Sequence, residues 1–168
     1  YGKAKVLTAS NVFAHIDDVV PLMAGVKLLM EEDGIFVIEA PYFAHLLHNL
    51  EYDTIYHEHL SYLSVSPLVR FFLSQGMEIF DIQQRDIHGG SIRIFVGRLG
   101  RHEVSSSVER LIGYEEKEGI YKTENLIEFA NRVSRHRDEL VWLLKSLKRN
   151  GSKIAGVSAP AKGMTLLN

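Results

Sequence analysis

Ile35-Phe36-Val37-Ile38 is an unbroken apolar run, and that constrains the fold more than any other feature of the chain. Side chains of a strand alternate between two faces, so a run apolar at every position predicts a strand covered on both sides, as in the parallel sheets of α/β proteins. Upstream, Lys5-Val6-Leu7-Thr8-Ala9 reads as a short buried strand that exits through the polar pair Ser10-Asn11. Between the two, Val19, Leu22, Met23, Val26, Leu29 and Met30 recur with a period of about 3.6 residues. That spacing predicts a helix capped by Asp17 or Asp18 and ended by Glu31-Glu32-Asp33-Gly34. Strand, helix, strand predicts a parallel pair, and ligands of open α/β sheets bind at the carboxyl ends of such strands.

Ala40-Pro41-Tyr42 then turns the chain into a segment whose Phe43, Leu46, Leu47 and Leu50 fit helix spacing. A second helix is expected from Ser66 to Ser74, with Pro67 suited to its first turn and Gly76 to its end. Met77 to Ile82 and Ser91 to Val96 alternate as half-buried strands do, and their short connection predicts an antiparallel pair. The sheet is therefore expected to be mixed, parallel in its body and antiparallel at one side. Beyond His102 the pattern turns helical. Its longest piece, Thr123 to Leu147, carries a stripe of Leu126, Phe129, Ala130, Val133, Leu140, Val141, Leu144 and Leu147. Lys153 to Val157 reads as a new strand entering the small-residue loop Ser158 to Gly163, ahead of another helix.

With 168 residues, 46% hydrophobic and 24% charged, the chain is large enough for a buried core. A formal charge of −2 gives no basis for nucleic-acid binding, which leaves a basic excess or stripe. No apolar run approaches the roughly 20 residues that span a bilayer, so no membrane partner is expected and the cytoplasm is the default location. The absence of cysteine excludes disulfides and thiolate zinc sites within the chain. Tyr1 in place of an initiator, and last residues Thr165 to Asn168 that stop without an obvious terminal element, read as an excised piece of a longer protein.

The chemistry concentrates in Tyr56-His57-Glu58-His59-Leu60-Ser61-Tyr62. Imidazoles take protons at neutral pH, a carboxylate such as Glu58 can hold the ring, and phenols can hold a carbonyl oxygen as negative charge grows on it. On an extended backbone His57 and His59 face away from Tyr56 and Glu58. On a helix His59 sits one turn from Tyr56 and Tyr62. A hydrogen-bonded structural layer, or a metal site of His57, His59 and His15, are the alternatives. The His-x-Glu-His spacing lacks the helical pattern of zinc proteases. Asn11 and His15 follow the first strand, His88-Gly89-Gly90-Ser91 permits close backbone approach or is an ordinary turn, and Lys162 can meet a phosphate.

Together, Ser10 to His15, Glu39 to Tyr42, Asp53 to Tyr62, His88 to Ser91 and Ala159 to Gly163 resemble the S-adenosylmethionine-dependent sugar C-methyltransferases. The resemblance implies an α/β chain with three parts. Residues 1–100 would be the C-terminal half of a Rossmann-like methyltransferase domain with a mixed sheet, 101–150 a helical connector, and 151–168 the start of a C-terminal α/β substrate-binding domain. It implies S-adenosylmethionine as cofactor, with zinc confined to an N-terminal domain absent from this chain, and a keto-deoxysugar nucleotide as substrate.

By position, His59 matches a general base that forms an enolate, with Tyr56, Glu58 and His15 beside it. Asn11, Ala14 and His15 would meet the cofactor; Tyr42, Tyr62, His88, Gly89, Gly90, Ser91 and Lys162 would meet the substrate. Alternatives are an O-, N- or other C-methyltransferase of the same fold, or a non-catalytic nucleotide-sugar-binding module. The piece alone is expected to be inactive, and its exposed sheet edge to favour a homo-oligomer.

Overall fold

The structure, a computed structural model, describes residues 2–87, 89–157 and 160–167. Four strands, β1 (Ala4–Ser10), β2 (Met30–Pro41), β3 (Met77–Arg85) and β4 (Ser91–Arg98), form one sheet in the order β1-β2-β4-β3. The helices are α1 (Val19–Leu29), α2 (Phe43–Asn49), α3 (Val65–Ser74), α4 (Ser106–Glu118), α5 (Thr123–Arg149) and α6 (Ala161–Leu167), with single 3-10 turns at Phe13–His15 and Tyr52–Thr54.

The chain is α/β with a mixed sheet, as expected, but the parallel part is confined to β1 and β2, which run in register from Val6 opposite Ile35 to Ser10 opposite Glu39. β4 returns antiparallel to both neighbours and inserts between β2 and β3. The Asp18 side chain accepts from Val20 N–H at 3.1 Å and starts α1. Met30, expected to be the last turn of that helix, instead opens β2 and is fully buried, with its N–H closing α1 on Val26 O.

Phe36, Ile38 and Ala40 of β2 join Ile92, Ile94 and Val96 of β4 in one core with Met23, Val65, Leu68, Phe72 and Leu111. The alternate residues differ. Val6, Thr8 and Ser10 are exposed, and Val37, Glu39, Arg93 and Phe95 are only half-buried. The apolar run of β2 is thus fully covered on one face, and the other carries an ion pair, Arg93 Nη2 to Glu39 Oε2 at 2.6 Å.

α5 begins at Thr123 as expected, yet none of its residues is buried. Phe129, Val133, Leu140 and Leu144 are partly covered, while Ile127, Val141, Trp142 and Leu143 face solvent. The strand expected from Lys153 to Val157 does not form: a strand needs a neighbour to complete its hydrogen bonds, and no strand of the sheet pairs with this segment. The helix after it is present as α6. Among the described residues no helix is long and apolar enough to cross a membrane.

Candidate active site

Because β1 and β2 run parallel and finish side by side, the loops leaving them meet at one rim. Asn11 turns the chain over that rim. Its N–H donates to Glu39 O at 2.8 Å and its φ is 52°, a left-handed conformation that asparagine tolerates better than most residues with a Cβ. The 3-10 turn that follows buries Phe13 and Ala14. Ala14 O then accepts from both Leu60 N–H at 2.9 Å and Ser61 N–H at 3.2 Å. Those two bonds draw the histidine-rich segment onto the strand exits, and Phe43 N–H to Leu63 O at 2.9 Å fastens its far end beside β2.

Tyr56 to His59 is a turn closed by His59 N–H donating to Tyr56 O at 3.0 Å. Tyr56 and His59 therefore share one side, with ring centroids 4.5 Å apart. The decisive contact is His59 Nδ1 to Thr54 O at 2.7 Å. A carbonyl oxygen can only accept, so Nδ1 carries the hydrogen and Nε2 of the neutral ring carries the lone pair. Tyr56 Oη lies 3.3 Å from Nε2 and donates to it. The His15 ring meets His59 edge-on at 5.0 Å.

A cavity of about 250 Å³ opens here, lined by Asn11, Ala14, His15, Pro41, Tyr56, His59 and Lys162. Six of these are residues singled out in the sequence, brought together from the loop and 3-10 turn after β1, the 56–62 segment and α6. Tyr62 lines an adjoining recess with Thr54 and His59, 6.5 Å from the latter ring. Burial, aided by the nearby Tyr56, pushes its phenol pKa up.

Other expected residues lie elsewhere. Glu58 does not hold His59: its carboxylate sits 4.0 Å from His57 Nε2, and both side chains are largely exposed. In a tight turn the side chain of residue 58 projects outward, and the Thr54 carbonyl takes the role expected of a carboxylate. His57 is likewise outside the pocket, and among the described residues no three histidine or acidic side chains converge as metal ligands. Tyr42 is the exception: it lines the recess of Tyr62 and His59, though it is fully buried and its hydroxyl donates to Glu115 Oε1 at 2.9 Å.

The glycines expected to approach a ligand approach protein instead. A Cβ on Gly90 would lie 2.0 Å from His45 Nδ1, and one on Gly89 2.1 Å from Glu51 Oε1. Ser91 is buried and donates to Ile87 O at 3.0 Å. His88 lies outside the described residues.

Glu115, which the sequence reading passed over, is a buried carboxylate with five donors. These are the hydroxyls of Tyr42, Tyr121 (2.6 Å) and Ser66 (2.7 Å) and the backbone N–H groups of Val65 (2.5 Å) and Ser66 (2.9 Å). It thereby caps the start of α3 from a different helix, where negative charge is favoured. Burial and the Glu115 hydrogen bond push the Tyr121 pKa up to about 12; burial and the Glu115 charge push Tyr42 higher still. The available signal was position: on α4, Val108, Leu111 and Glu115 occupy one buried face.

Comparison with known proteins finds two likenesses. Residues 86–168 match the family described as C-methyltransferase C-terminal domain. The match begins just before β4, which is paired on both sides, so its start is not an edge of the folded unit. Over 99% of its length the chain is 38% identical to C-methyltransferase NovU of Streptomyces niveus, and it spans 40% of that protein.

Proposed function

We propose that the chain, which is similar to a C-methyltransferase over nearly its whole length, supplies the proton-abstracting half of an enzyme that methylates a sugar-ring carbon of a keto-deoxysugar nucleotide. The observation that carries this reading is His59, with Nδ1 tied to a backbone carbonyl and Nε2 turned to a pocket at the parallel strand ends.

A carbon beside a ketone gives up its proton only if a base is in place and the resulting oxyanion is stabilised. His59 Nε2 takes the proton, and the electron pair of the broken C–H bond moves into the enolate. Tyr56 O–H, which donates to Nε2 in the free pocket, is the nearest donor for the enolate oxygen, with His15 on the other side of the base. Lys162, the one cation lining the pocket among the described residues, supports a phosphate-bearing substrate.

S-adenosylmethionine would supply an electrophilic methyl, held against Asn11 and Ala14 at the exit of β1. The cavity fits the reacting ends rather than whole molecules, since its 250 Å³ falls below the ~300 Å³ at which drug-sized ligand pockets begin. The rest of the cofactor and sugar pockets would come from other parts of a longer enzyme. On this reading residues 1–100 belong to the methyltransferase sheet, 101–150 connect, and 151–168 lead into a substrate-binding domain.

The test is mass spectrometry of a keto-deoxysugar nucleotide incubated with S-adenosylmethionine and the longer enzyme. The reading expects one added methyl, carbon-bound beside the ketone. A methyl on oxygen or nitrogen would refute it.

A further inference from the structure

We propose that α5 acts as a splint for the base: Arg132 and His136, one turn apart on that helix, fix the segment whose carbonyl sets the tautomer of His59. This rests on the reading of His59 as the proton acceptor, and extends it to residues well outside the pocket.

The chain of contacts starts at the end of α2. A helix leaves its last carbonyls without intrahelical partners. Leu46 O is satisfied by Leu50 and Glu51 N–H, and the next two carbonyls are those of Leu47 and His48. Arg132 closes both, Nη1 donating to Leu47 O at 3.0 Å and Nη2 to His48 O at 2.9 Å. Such a planar fork suits two adjacent acceptors. The chain then reverses through Leu50 at φ 59°, and Glu51 O accepts from both Thr54 N–H at 3.1 Å and Thr54 Oγ1 at 2.7 Å. Thr54 O, oriented by that turn, receives His59 Nδ1.

The second point of attachment lies within the same turn. His136 Nδ1 sits 3.0 Å from Tyr52 Oη, their rings edge-on at 5.8 Å. Positions 132 and 136 face one way on a helix, so α5 grips the α2 end and the 3-10 turn at Tyr52–Thr54 together. No residue of α5 is buried, so these directed polar contacts, beside the half-buried Phe129 and Val133, tie the helix to that segment. α6 packs on the same 3-10 turn and brings in Lys162, so the segment that orients the base also receives the element carrying the pocket's cation.

Arg132 and His136 are thus positioning residues, and their test must read the ring itself. In the 168-residue chain, nitrogen-15 NMR of the histidine rings should show His59 as a single Nδ1–H tautomer. In Arg132→Gln and in His136→Phe it should become a mixture of tautomers. His136 is exposed, so its variant keeps the fold even if Arg132→Gln does not. In the longer enzyme both variants should lower kcat by about tenfold to a hundredfold with KM little changed, the pattern of a misplaced catalytic group. An unchanged single tautomer in His136→Phe, with Arg132→Gln either likewise unchanged or unfolded, would overturn the splint. Failure of the base assignment is read separately, as full activity in His59→Gln, and leaves the tautomer result standing.

Discussion

At the scale of single residues the site depends on which nitrogen of His59 is free. Replacing His59 by Gln removes the lone pair but keeps a group able to bond Thr54 O, and should lower methyl transfer by about 10²–10⁴-fold, the usual contribution of a general base. Tyr56→Phe keeps the ring that lies 4.5 Å from His59 and deletes only the hydroxyl that bonds Nε2 in the free pocket and would meet the oxyanion, and its loss in kcat should be smaller, about tenfold. Gly90 has φ 128° and no room beyond its Cα, so Gly90→Ala should destabilise the chain by about 1–3 kcal/mol, measured by urea unfolding.

The residues of this pocket were legible from their chemistry and from position: Asn11, His15, Tyr56, His59 and Lys162 all line it. Their partners were not. A backbone carbonyl such as Thr54 O has no sequence signature, whereas Glu58, adjacent in sequence and chemically suited, turns outward because the turn from Tyr56 to His59 sets His59 beside Tyr56 and leaves position 58 facing solvent. Tyr42 and Ser91 satisfy their own buried hydroxyls, which leaves Tyr42 donating to Glu115 and Ser91 to Ile87.

At the scale of elements, α3, α4 and the end of β2 are joined through one carboxylate. Glu115→Gln preserves shape but sets an amide N–H₂ among groups that all donate. It should cost roughly 2–4 kcal/mol in urea unfolding, whereas a surface glutamate such as Glu116 should tolerate the same change. A loss as small for Glu115 as for Glu116 would show that the network is incidental. Helices and strands were well marked by periodicity. The exceptions have local causes: Met30 fits the helical stripe equally well as a strand residue that reaches the core, and Lys153 to Val157 has strand composition without a strand to pair with. Glu115 sits in a run of charge that reads as solvated surface until the apolar face of α4 is drawn.

For the molecule as a whole, the phenols bonded to Glu115 set an alkaline limit. Tyr121 and Tyr42 keep their protons in the folded state to higher pH than the unfolded chain does, so the native state binds more protons. Stability from them is complete below the ordinary tyrosine pKa of about 10 and falls as pH rises toward about 12. Unfolding followed across that window should show the decline, and a flat profile would contradict it.

Among the described residues β1 and β3 end the sheet without a further strand partner, and pairing of β1 with a second copy predicts concentration-dependent mass in light scattering. A constant monomer would oppose that pairing. The mixed sheet followed from strand patterns, but the placement of β4 between β2 and β3 did not, because hairpin spacing fixes which strands pair and not which outer edge meets β2.

The central claim is that His59 Nε2 takes a proton from carbon. It is tested most directly by following solvent deuterium into the keto-sugar at the carbon beside its ketone, with the longer enzyme and no methyl donor. The account predicts exchange with the wild-type enzyme and its loss in His59→Gln; undiminished exchange in that variant would contradict it.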